Sequence, residues 1–257
     1  MSSINPSDPT AAYLQIADAL RRQIADGDLP DGAVLPSVRH LVDQFGTAQG
    51  TVRQAIEQLK AEGLIATRQG SGTFVRKPRR LRRMGSTRHL RSQRAPASAP
   101  LEAEATSQSF RRTSELTEVA SVPAPPEVAE RFSLPEGTNV LRRNYLLSIN
   151  GEVAQTARSY FTHELADGTT LAEQAKPEKG THAYLADNLR IPLDVAVEEL
   201  VARMPTPQET MTLRLIPGTP VVELIRTIYD NSQNPVEVTV FVFAADRHSF
   251  VYEVPLD

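Results

Sequence analysis

The sequence predicts an α+β protein of two domains, with a helical amino-terminal part and a carboxy-terminal part built on an antiparallel sheet. Apolar residues recur at helical spacing in three segments of the first 75 residues, whereas β-branched runs flanking turn signals dominate later. The length of 257 residues also exceeds the usual size of one domain. We expect domains at 1–77 and 101–257, joined by a basic, proline-containing linker at 78–100.

The amino-terminal domain is predicted to contain three helices and a hairpin. The first helix covers 10–26 with Thr10 available as its cap, and a short second helix can be capped by Ser37. Thr47 can cap the third helix, and a hairpin over 64–76 follows it. Two helices joined by a tight glycine-containing turn and followed by a hairpin form a winged helix-turn-helix.

In the carboxy-terminal domain the strongest signal is Asn150-Gly151, which is flanked by β-rich runs at 140–149 and 152–161 and predicts a hairpin. Further strands are expected at 220–229 and 236–245. Short helices are expected at about 181–189 and 207–215. This mixture indicates an α+β domain on an antiparallel sheet.

Charge and composition restrict the classes of function. Residues 1–100 carry 15 Lys/Arg and 8 Asp/Glu, and the rest carries 13 and 23, so a basic part precedes an acidic part. This asymmetry favours an anionic polymer as partner of the first part. The chain has no cysteine, its 5 histidines show no metal spacing, and no Ser-His-Asp arrangement can be seen. We therefore expect a cytoplasmic protein without metal, cofactor, catalytic site or membrane span.

The residues at the start of the third predicted helix can contact DNA bases, because that helix enters the major groove in a helix-turn-helix. Their side chains are of the hydrogen-bonding types that bind base edges and phosphates. The candidates there are Thr47, Gln49, Gly50, Thr51, Arg53 and Gln54. Ser37 and Arg39 at the preceding helix could also reach the groove, and Gln69, Gly70 and Ser71 lie at the tip of the wing. The alternatives are a solvated helix face for the arginines and a purely structural turn for the wing tip. The basic stretch 76–94 is either a phosphate binder or a soluble linker.

Several motifs of this region resemble the GntR family of bacterial transcription regulators. They are Tyr13-x-Gln15-Ile16-Ala17, Leu35-Pro36-Ser37-x-Arg39-x-Leu41, Thr51-Val52-Arg53-x-Ala55, Leu59-x-x-Glu62-Gly63-Leu64 and Gly70-Ser71-Gly72-Thr73-Phe74-Val75. The resemblance implies that Arg39 and Arg53 contact guanines and that Gln69-Gly70 lies at the wing tip. Many members have Ser-Arg where this chain has Ala48-Gln49, so the operator should differ at that position.

The second domain resembles the UTRA domain of the HutC-like branch of that family. The supporting strings include Arg142-Arg143-x-Tyr145, Asn150-Gly151-Glu152, Ser159-Tyr160-Phe161, Arg226-Thr227-x-Tyr229-Asp230 and Pro235-Val236-Glu237. This resemblance implies a chorismate-lyase-like fold, homodimerisation and a pocket for a small, often anionic metabolite.

Candidate pocket residues follow from strand alternation and from the resemblance. Alternation places Arg143 with Tyr145 on one face of a strand, and Arg158 with Tyr160 on one face of its partner. The resemblance assigns Arg143, Thr181, Glu237 and Phe243 to the pocket. Arg143 and Glu237 could instead form a cross-strand surface pair. Members that bind phosphorylated amino sugars carry Glu and Arg where this chain has Ala157 and Ala244, so another ligand or none is expected.

The leading hypothesis is a homodimeric repressor that an effector releases from a pseudo-palindromic DNA operator. A second hypothesis keeps DNA binding but makes the carboxy-terminal domain a dimerisation scaffold only. A third, an enzyme of the chorismate-lyase type, lacks support from any catalytic arrangement in the sequence.

Overall fold

A computed structural model of the chain describes residues 4, 5, 7–68, 72–76, 80–85, 105–216 and 218–254. The chain divides into two compact units, Met1–Arg79 with Leu215–Thr219, and Arg80–Arg214 with Pro220–Asp257. The first unit is helical with a small hairpin, and the second is built on an antiparallel sheet. The predicted α+β class is therefore confirmed.

The described residues of the first unit form three helices, α1 (Ala12–Asp26), α2 (Val38–Phe45) and α3 (Gln49–Ala61). Their apolar stripes pack into one core, as the helical spacing predicts. This core includes Ile16, Leu20, Ile24, Leu41, Phe45, Val52, Ile56 and Leu59. Gly46, with φ +62°, makes the tight turn between α2 and α3 that a side chain would strain.

The caps of the helices agree only in part with prediction. Ser37 caps α2, because its Oγ accepts a hydrogen bond from the amide of His40 at 3.2 Å. The predictions for Thr10 and Thr47 are wrong: Ala11 and Ala48 occupy the N-cap positions of α1 and α3, and neither cap makes a side-chain hydrogen bond. Each threonine lies one residue before the cap, too early to serve the first turn.

The wing is an antiparallel hairpin of β1 (Ile65–Arg68) and β2 (Gly72–Val75). The loop between α1 and α2 pairs with β2 through a single antiparallel bridge between Val34 and Phe74. The amide of Leu35 donates to the carbonyl of Thr73 at 2.7 Å, and that of Val75 to the carbonyl of Ala33 at 2.8 Å. These bonds fix the hairpin to the helical core.

The second unit contains further strands and helices. In chain order they are β3 (Leu81–Met84), β4 (Arg112–Pro123), α4 (Pro126–Phe132), β5 (Asn139–Ile149), β6 (Glu152–Thr162), α5 (His163–Ala166), a 3-10 turn (Thr170–Ala172), α6 (Thr181–Asp187), β7 (Leu193–Arg203), α7 (Pro207–Thr212), β8 (Val221–Asp230), β9 (Pro235–Ala244) and β10 (His248–Val251).

Six strands form one antiparallel sheet in the order β4-β5-β6-β9-β8-β7. The predicted hairpin is confirmed: Asn150 and Gly151 connect β5 to β6 with φ of +51° and +85°, the signs that a type I′ turn requires. Outside this sheet, β3 and β10 pair in parallel.

The two faces of the sheet are covered differently. The first, which we call the α4 face, packs Val128 and Phe132 of α4 against Tyr160 and Val238. The second, which we call the polar face, carries two apolar clusters. One contains Leu141, Phe161, Leu171 and Leu185, and the other contains Leu147, Leu224, Phe241 and Phe243. Buried polar residues lie between these clusters.

The prediction missed β4, β7 and α4, and it placed the linker over β3. The sequences of β4 and β7 mix apolar with charged residues because both strands are edges of the sheet. The strand β3 is basic and lies within the predicted linker 78–100. For these residues the linker prediction is wrong, because β3 pairs with β10 within the second unit.

Candidate functional site

The start of α3 presents a polar surface to solvent. Gln49, Gly50, Arg53 and Gln54 are exposed and Thr51 is half-buried. The other side of the helix is buried through Val52, Ala55, Ile56 and Leu59. The predicted separation of a polar and an apolar side of this helix is therefore confirmed.

Arg39 of α2 and Arg53 of α3 differ from Arg21, a structural arginine of the same unit. Arg21 donates through Nε and Nη2 to the two carboxylate oxygens of Glu62, at 2.9 and 2.7 Å, and it also contacts Asp18. Arg39 and Arg53 are exposed and form no hydrogen bond or ion pair with any residue that the structure describes. Both guanidinium groups are therefore available to an anionic partner.

The first turn of α3 contains no acidic residue and no capping side chain. The amide of Thr51 donates to the carbonyl of Ala48 at 3.1 Å, but those of Gln49 and Gly50 form no hydrogen bond with the described residues. These two amides and the positive end of the helix dipole therefore stay available to an anion. Thr47 is half-buried, and its amide donates to the carbonyl of Val42 at 3.4 Å. The wing-tip candidates Gln69, Gly70 and Ser71 lie outside the described residues.

In the second unit, polar residues form one continuous row across the polar face. Strand pairing places them opposite one another in the order Arg143 (β5), Ser159 (β6), Thr239 (β9), Arg226 (β8) and Glu198 (β7). We call this set the polar row. The first four residues are at most 7 % exposed, so the row is a buried polar site within an apolar face.

Arg143 is held by hydrogen bonds at one end of the row. Its Nε donates to Tyr145 Oη at 2.9 Å. Its Nη1 donates to the carbonyls of Leu171 and Glu173, the second at 3.0 Å, and its Nη2 donates to the carbonyl of Ala175 at 2.5 Å. Arg143 therefore holds the segment after α5 over the sheet, and an incoming anion must displace a carbonyl to reach it.

Glu237 lies beside the row and is 2 % exposed. Its Oε2 is 2.9 Å from Nε2 of His182, and its Oε1 accepts a hydrogen bond from Thr239 at 2.9 Å. Thr239 also bonds to Ser159 at 2.9 Å. Burial alone would raise the pKa of this carboxyl, but the hydrogen bond and charge of His182, with the charge of Arg226, lower the pKa of Glu237 to about 2.

Two further arginines lie at the other end of the row, around an aromatic ring. The guanidinium carbons of Arg226 and Arg83 are 4.8 and 5.0 Å from the centre of the Phe241 ring. Arg83 comes from β3 and is also 4.5 Å from the Phe243 ring centre and 4.0 Å from Oε1 of Glu198. Cationic groups are thus concentrated on this face, which suits an anionic ligand.

The structure separates the predicted pocket residues into two groups. Arg143, Tyr145, Glu237 and Phe243 lie on the polar face. The assignment of Arg158 and Tyr160 to the pocket is wrong. Ser159 lies opposite Arg143 on the polar face, so its two neighbours point to the α4 face. Strand alternation determines which residues share a face within one strand, but it does not determine the register between two strands.

The alternative of a surface pair between Arg143 and Glu237 is wrong, because both are buried and β6 separates their strands. Thr181 begins α6 and directly precedes His182, the partner of Glu237. His182, Arg83 and Arg226 were not identified as site residues. Only Arg226 had a usable signal, since it belongs to one of the motif strings of the second domain.

A Ser-His-Asp arrangement, not visible in the sequence, is present in the structure. Ser121 Oγ is 2.7 Å from Nε2 of His163, and Nδ1 of His163 is 2.9 Å from Asp167. The Asp167 side chain is 66 % exposed and Ser121 is exposed, whereas a catalytic triad depends on a buried aspartate. We interpret this arrangement as a chain of surface hydrogen bonds.

Among the described residues no group of three or more His, Asp or Glu side chains is placed to hold a metal ion. Within the same residues, no helix has both the length and the apolar character needed to cross a membrane.

A winged helix-turn-helix with free arginines, followed by a separate sheet domain with a buried polar site, defines a DNA-binding transcriptional regulator. The chain belongs to the gntR family of bacterial regulatory proteins, whose model matches residues 12–75, and residues 107–249 match the UTRA domain. The predicted membership in the HutC-like branch of that family is confirmed.

Known proteins are similar to this chain over nearly the whole of both sequences. An uncharacterised HTH-type transcriptional regulator of Streptomyces coelicolor is 32% identical over 246 residues, which cover 94% of this chain and 91% of that protein. The HTH-type transcriptional repressor NagR of Bacillus subtilis is 28% identical over 97% of both chains. A crystal structure of a GntR-family transcriptional regulator superimposes with a TM-score of 0.66 at 29% identity, covering 96% of this chain and 99% of that one.

Proposed function

We propose that this regulator is a homodimeric repressor of the cytoplasm, which binds a pseudo-palindromic operator and is released by an anionic small molecule. The name of the B. subtilis relative, a transcriptional repressor, supports the direction of regulation. The observation on which DNA binding depends most is that Arg39 and Arg53 are exposed and have no partner among the described residues.

The neighbours of these arginines fit contact with DNA. Gly50 is exposed in the first turn of α3, its φ is not in the left-handed region, and an added Cβ would meet nothing within 4 Å. The fold of the chain therefore does not require glycine there, although glycine weakens a helix. Close approach of a phosphate or a base edge explains its presence.

Selection from a pool of randomised duplexes tests this part of the proposal. We expect the enriched sequences to contain an inverted repeat with half-sites about one helical turn apart. We also expect Gln49→Arg to change the preferred base at one position in each half-site, because Arg pairs with guanine and Gln with adenine. Enrichment of no sequence would contradict the proposal, and an unchanged preference would exclude Gln49 from base contact.

The proposed effector site is the polar row with Glu237, His182 and Arg83. Arg143, Arg226 and Arg83 lie in or beside it, and guanidinium groups are the side chains that best bind carboxylate and phosphate groups, which supports an anionic ligand. Glu237 and His182 supply acceptors and donors for hydroxyl or amine groups of the same ligand.

A thermal-shift screen of anionic metabolites, followed by operator titration, tests the effector site. A ligand that releases the operator must itself bind the DNA-bound form less tightly by the same factor. We expect Arg226→Met to abolish the thermal shift, whereas Arg158→Met on the other face keeps it. If no metabolite shifts the unfolding temperature while the protein stays dimeric, the domain is a dimerisation scaffold only.

We also propose that the chain is not an enzyme. The exposure of Asp167 and Ser121 supports this, since an exposed pair cannot provide the low-dielectric environment of a catalytic triad. A fluorophosphonate probe tests it: labelling of the wild type that Ser121→Ala removes would contradict the proposal.

A further inference from the structure

Glu198 is a buried carboxylate, and one of its oxygens lacks a hydrogen-bond donor in the described part of the chain. It lies at the β7 end of the polar row, and its side chain is 10 % exposed. Its Oε1 atom is buried and accepts no hydrogen bond from any described residue. The ion pair of Oε1 with Nη2 of Arg83 spans 4.0 Å, which is too long for a hydrogen bond. A buried acceptor without a donor is costly, so a donor supplied by a ligand explains this arrangement.

The other carboxylate of this site, Glu237, differs from Glu198 in this respect. Its Oε2 is 2.9 Å from Nε2 of His182, and its Oε1 accepts a hydrogen bond from Thr239 at 2.9 Å. Both oxygens of Glu237 therefore already have a partner within the fold. Of the two carboxylates, Glu198 is the one with an oxygen that can accept a first hydrogen bond from a ligand.

Arginine side chains lie next to Glu198 on the same face of the sheet. Arg226 is directly opposite Glu198 in the pairing of β7 with β8, and the Cβ atoms of such a pair are about 5 Å apart. Arg83 is the partner of the 4.0 Å ion pair. Guanidinium groups bind carboxylates through paired hydrogen bonds. A ligand whose carboxylate binds one of these arginines therefore brings its neighbouring atoms close to Glu198.

The charge of Glu198 restricts the ligands that these arginines can bind. A ligand with negative charge only would be repelled by this carboxylate, because the like charges would be close together in a poorly solvated site. An ammonium group beside the anionic group removes this repulsion and donates a charge-assisted hydrogen bond, which is stronger than that of a hydroxyl group. Because Arg226 and Glu198 are direct neighbours, the two groups of the ligand must also be close, as they are on the α-carbon of an amino acid.

The next row of residues on this face is apolar. Tyr145, Ala157, Phe241 and Leu224 lie opposite one another, two residues away from the polar row along their strands. Two residues along a strand correspond to about 7 Å. Ala157, Phe241 and Leu224 are buried in one apolar cluster, and Tyr145 packs against it. An apolar group attached to the same α-carbon therefore finds an apolar surface beside the polar row.

We propose that Glu198 binds the ammonium group of the effector and that the effector is an α-amino acid with an apolar side chain. The inference rests on the proposed function, and it names the class of compound that the proposed effector site binds. The carboxylate of the amino acid is the anionic group and binds Arg226 and Arg83. The ammonium group donates to Oε1 of Glu198, and the side chain packs on Phe241 and Leu224.

A comparison of ligands on the wild-type protein tests this inference. Thermal shift and operator release are measured with the standard L-α-amino acids, each beside the acid that lacks the amino group, such as phenylalanine with hydrocinnamate and leucine with isocaproate. We expect an apolar amino acid to raise the unfolding temperature and to bind about 10-fold or more tightly than its deaminated partner, which lacks the charge-assisted hydrogen bond. A deaminated acid that binds as tightly as its amino acid would overturn the proposal.

A pair of neighbouring variants assigns the effect to Glu198. We expect Glu198→Gln to weaken binding of the amino acid by about 10-fold or more and not to weaken binding of the deaminated acid. Glu199→Gln is the matched control, because Glu199 faces the other side of the sheet and pairs with Arg131 at 2.7 Å. If Glu198 had a structural role only, its substitution would weaken both ligands by the same factor, and that result would overturn the proposal. Circular dichroism shows whether each variant is folded, and the comparison on the wild type does not depend on either variant.

The outcomes separate this inference from the proposed function. Release of the operator by a phosphorylated or other compound without an amino group, with no effect of Glu198→Gln on its binding, would overturn the role of Glu198 and leave the effector site intact. The absence of a response to any metabolite would contradict the effector site itself, and with it both proposals.

Discussion

The arginines on α2 and α3 and those on the polar face are the same residue type in opposite environments. Arg53 is exposed and has no partner among the described residues, whereas Arg143 is 0 % exposed and bonds to Tyr145 and several backbone carbonyls. A guanidinium in water costs little to leave unpaired, but a buried one requires partners. Exposed arginines can therefore bind a polymer such as DNA. Buried arginines stabilise the fold unless a ligand replaces their partners.

The largest effect that follows from this comparison is on stability. We expect Arg143→Ala to lower the free energy of unfolding of the second unit by roughly 3 kcal/mol or more, because the buried carbonyl of Leu171 and the partly buried carbonyls of Glu173 and Ala175 lose their donor. Chemical denaturation measures it. The control is Arg142→Ala, which removes a surface ion pair with Glu118 and should cost less than about 1 kcal/mol. Equal losses in both variants would refute the structural role of Arg143.

A smaller effect should appear in the pH dependence of stability. The pKa of Glu237 lies at about 2 in the folded chain against an ordinary value of 4.5. Its contribution is therefore complete above about pH 4.5 and is lost as the pH falls towards 2. We expect Glu237→Gln to lower stability at pH 7 by roughly 2 kcal/mol and to flatten the acid limb of the unfolding curve in that window. An acid limb as steep as that of the wild type would refute this assignment.

The sequence was sufficient for the first of these two regions. Helical spacing placed Val52, Ile56 and Leu59 in the core. The opposite side of α3, which carries Gln49 and Arg53, was therefore predicted to be exposed. This works because a helix determines its faces locally, within four residues.

The polar face could not be derived in the same way. The row from Arg143 to Glu198 brings together five strands, and its composition depends on the register of each pair. Arg158 was therefore assigned to the wrong face, and Arg83 was missed because its strand β3 pairs with the distant β10. The edges β4 and β7 were missed because edge strands lack a continuous apolar run.

The smallest expected effect is that of a substitution at Gly50, where stability of the helix and contact with DNA should change in opposite directions. Gly50→Ala should stabilise the first unit by about 0.5–1 kcal/mol, because alanine favours a helix and its Cβ meets no atom of the chain. The same variant should bind the selected operator less tightly, since in the proposed mode of binding the added methyl group would face the DNA. Denaturation and fluorescence anisotropy measure the two effects. A variant that gains stability and keeps full operator affinity would exclude close approach of DNA at Gly50.

The operator affinity of Arg53→Ala, compared with that of Arg21→Ala, tests the central claim most directly. Arg21 is paired with Glu62 and Asp18, so its loss should lower stability slightly and leave operator affinity unchanged. Loss of Arg53 should reduce operator affinity by about 1–3 kcal/mol without changing stability or dimerisation. Full operator affinity in Arg53→Ala would contradict the assignment of α3 as the helix that binds the bases.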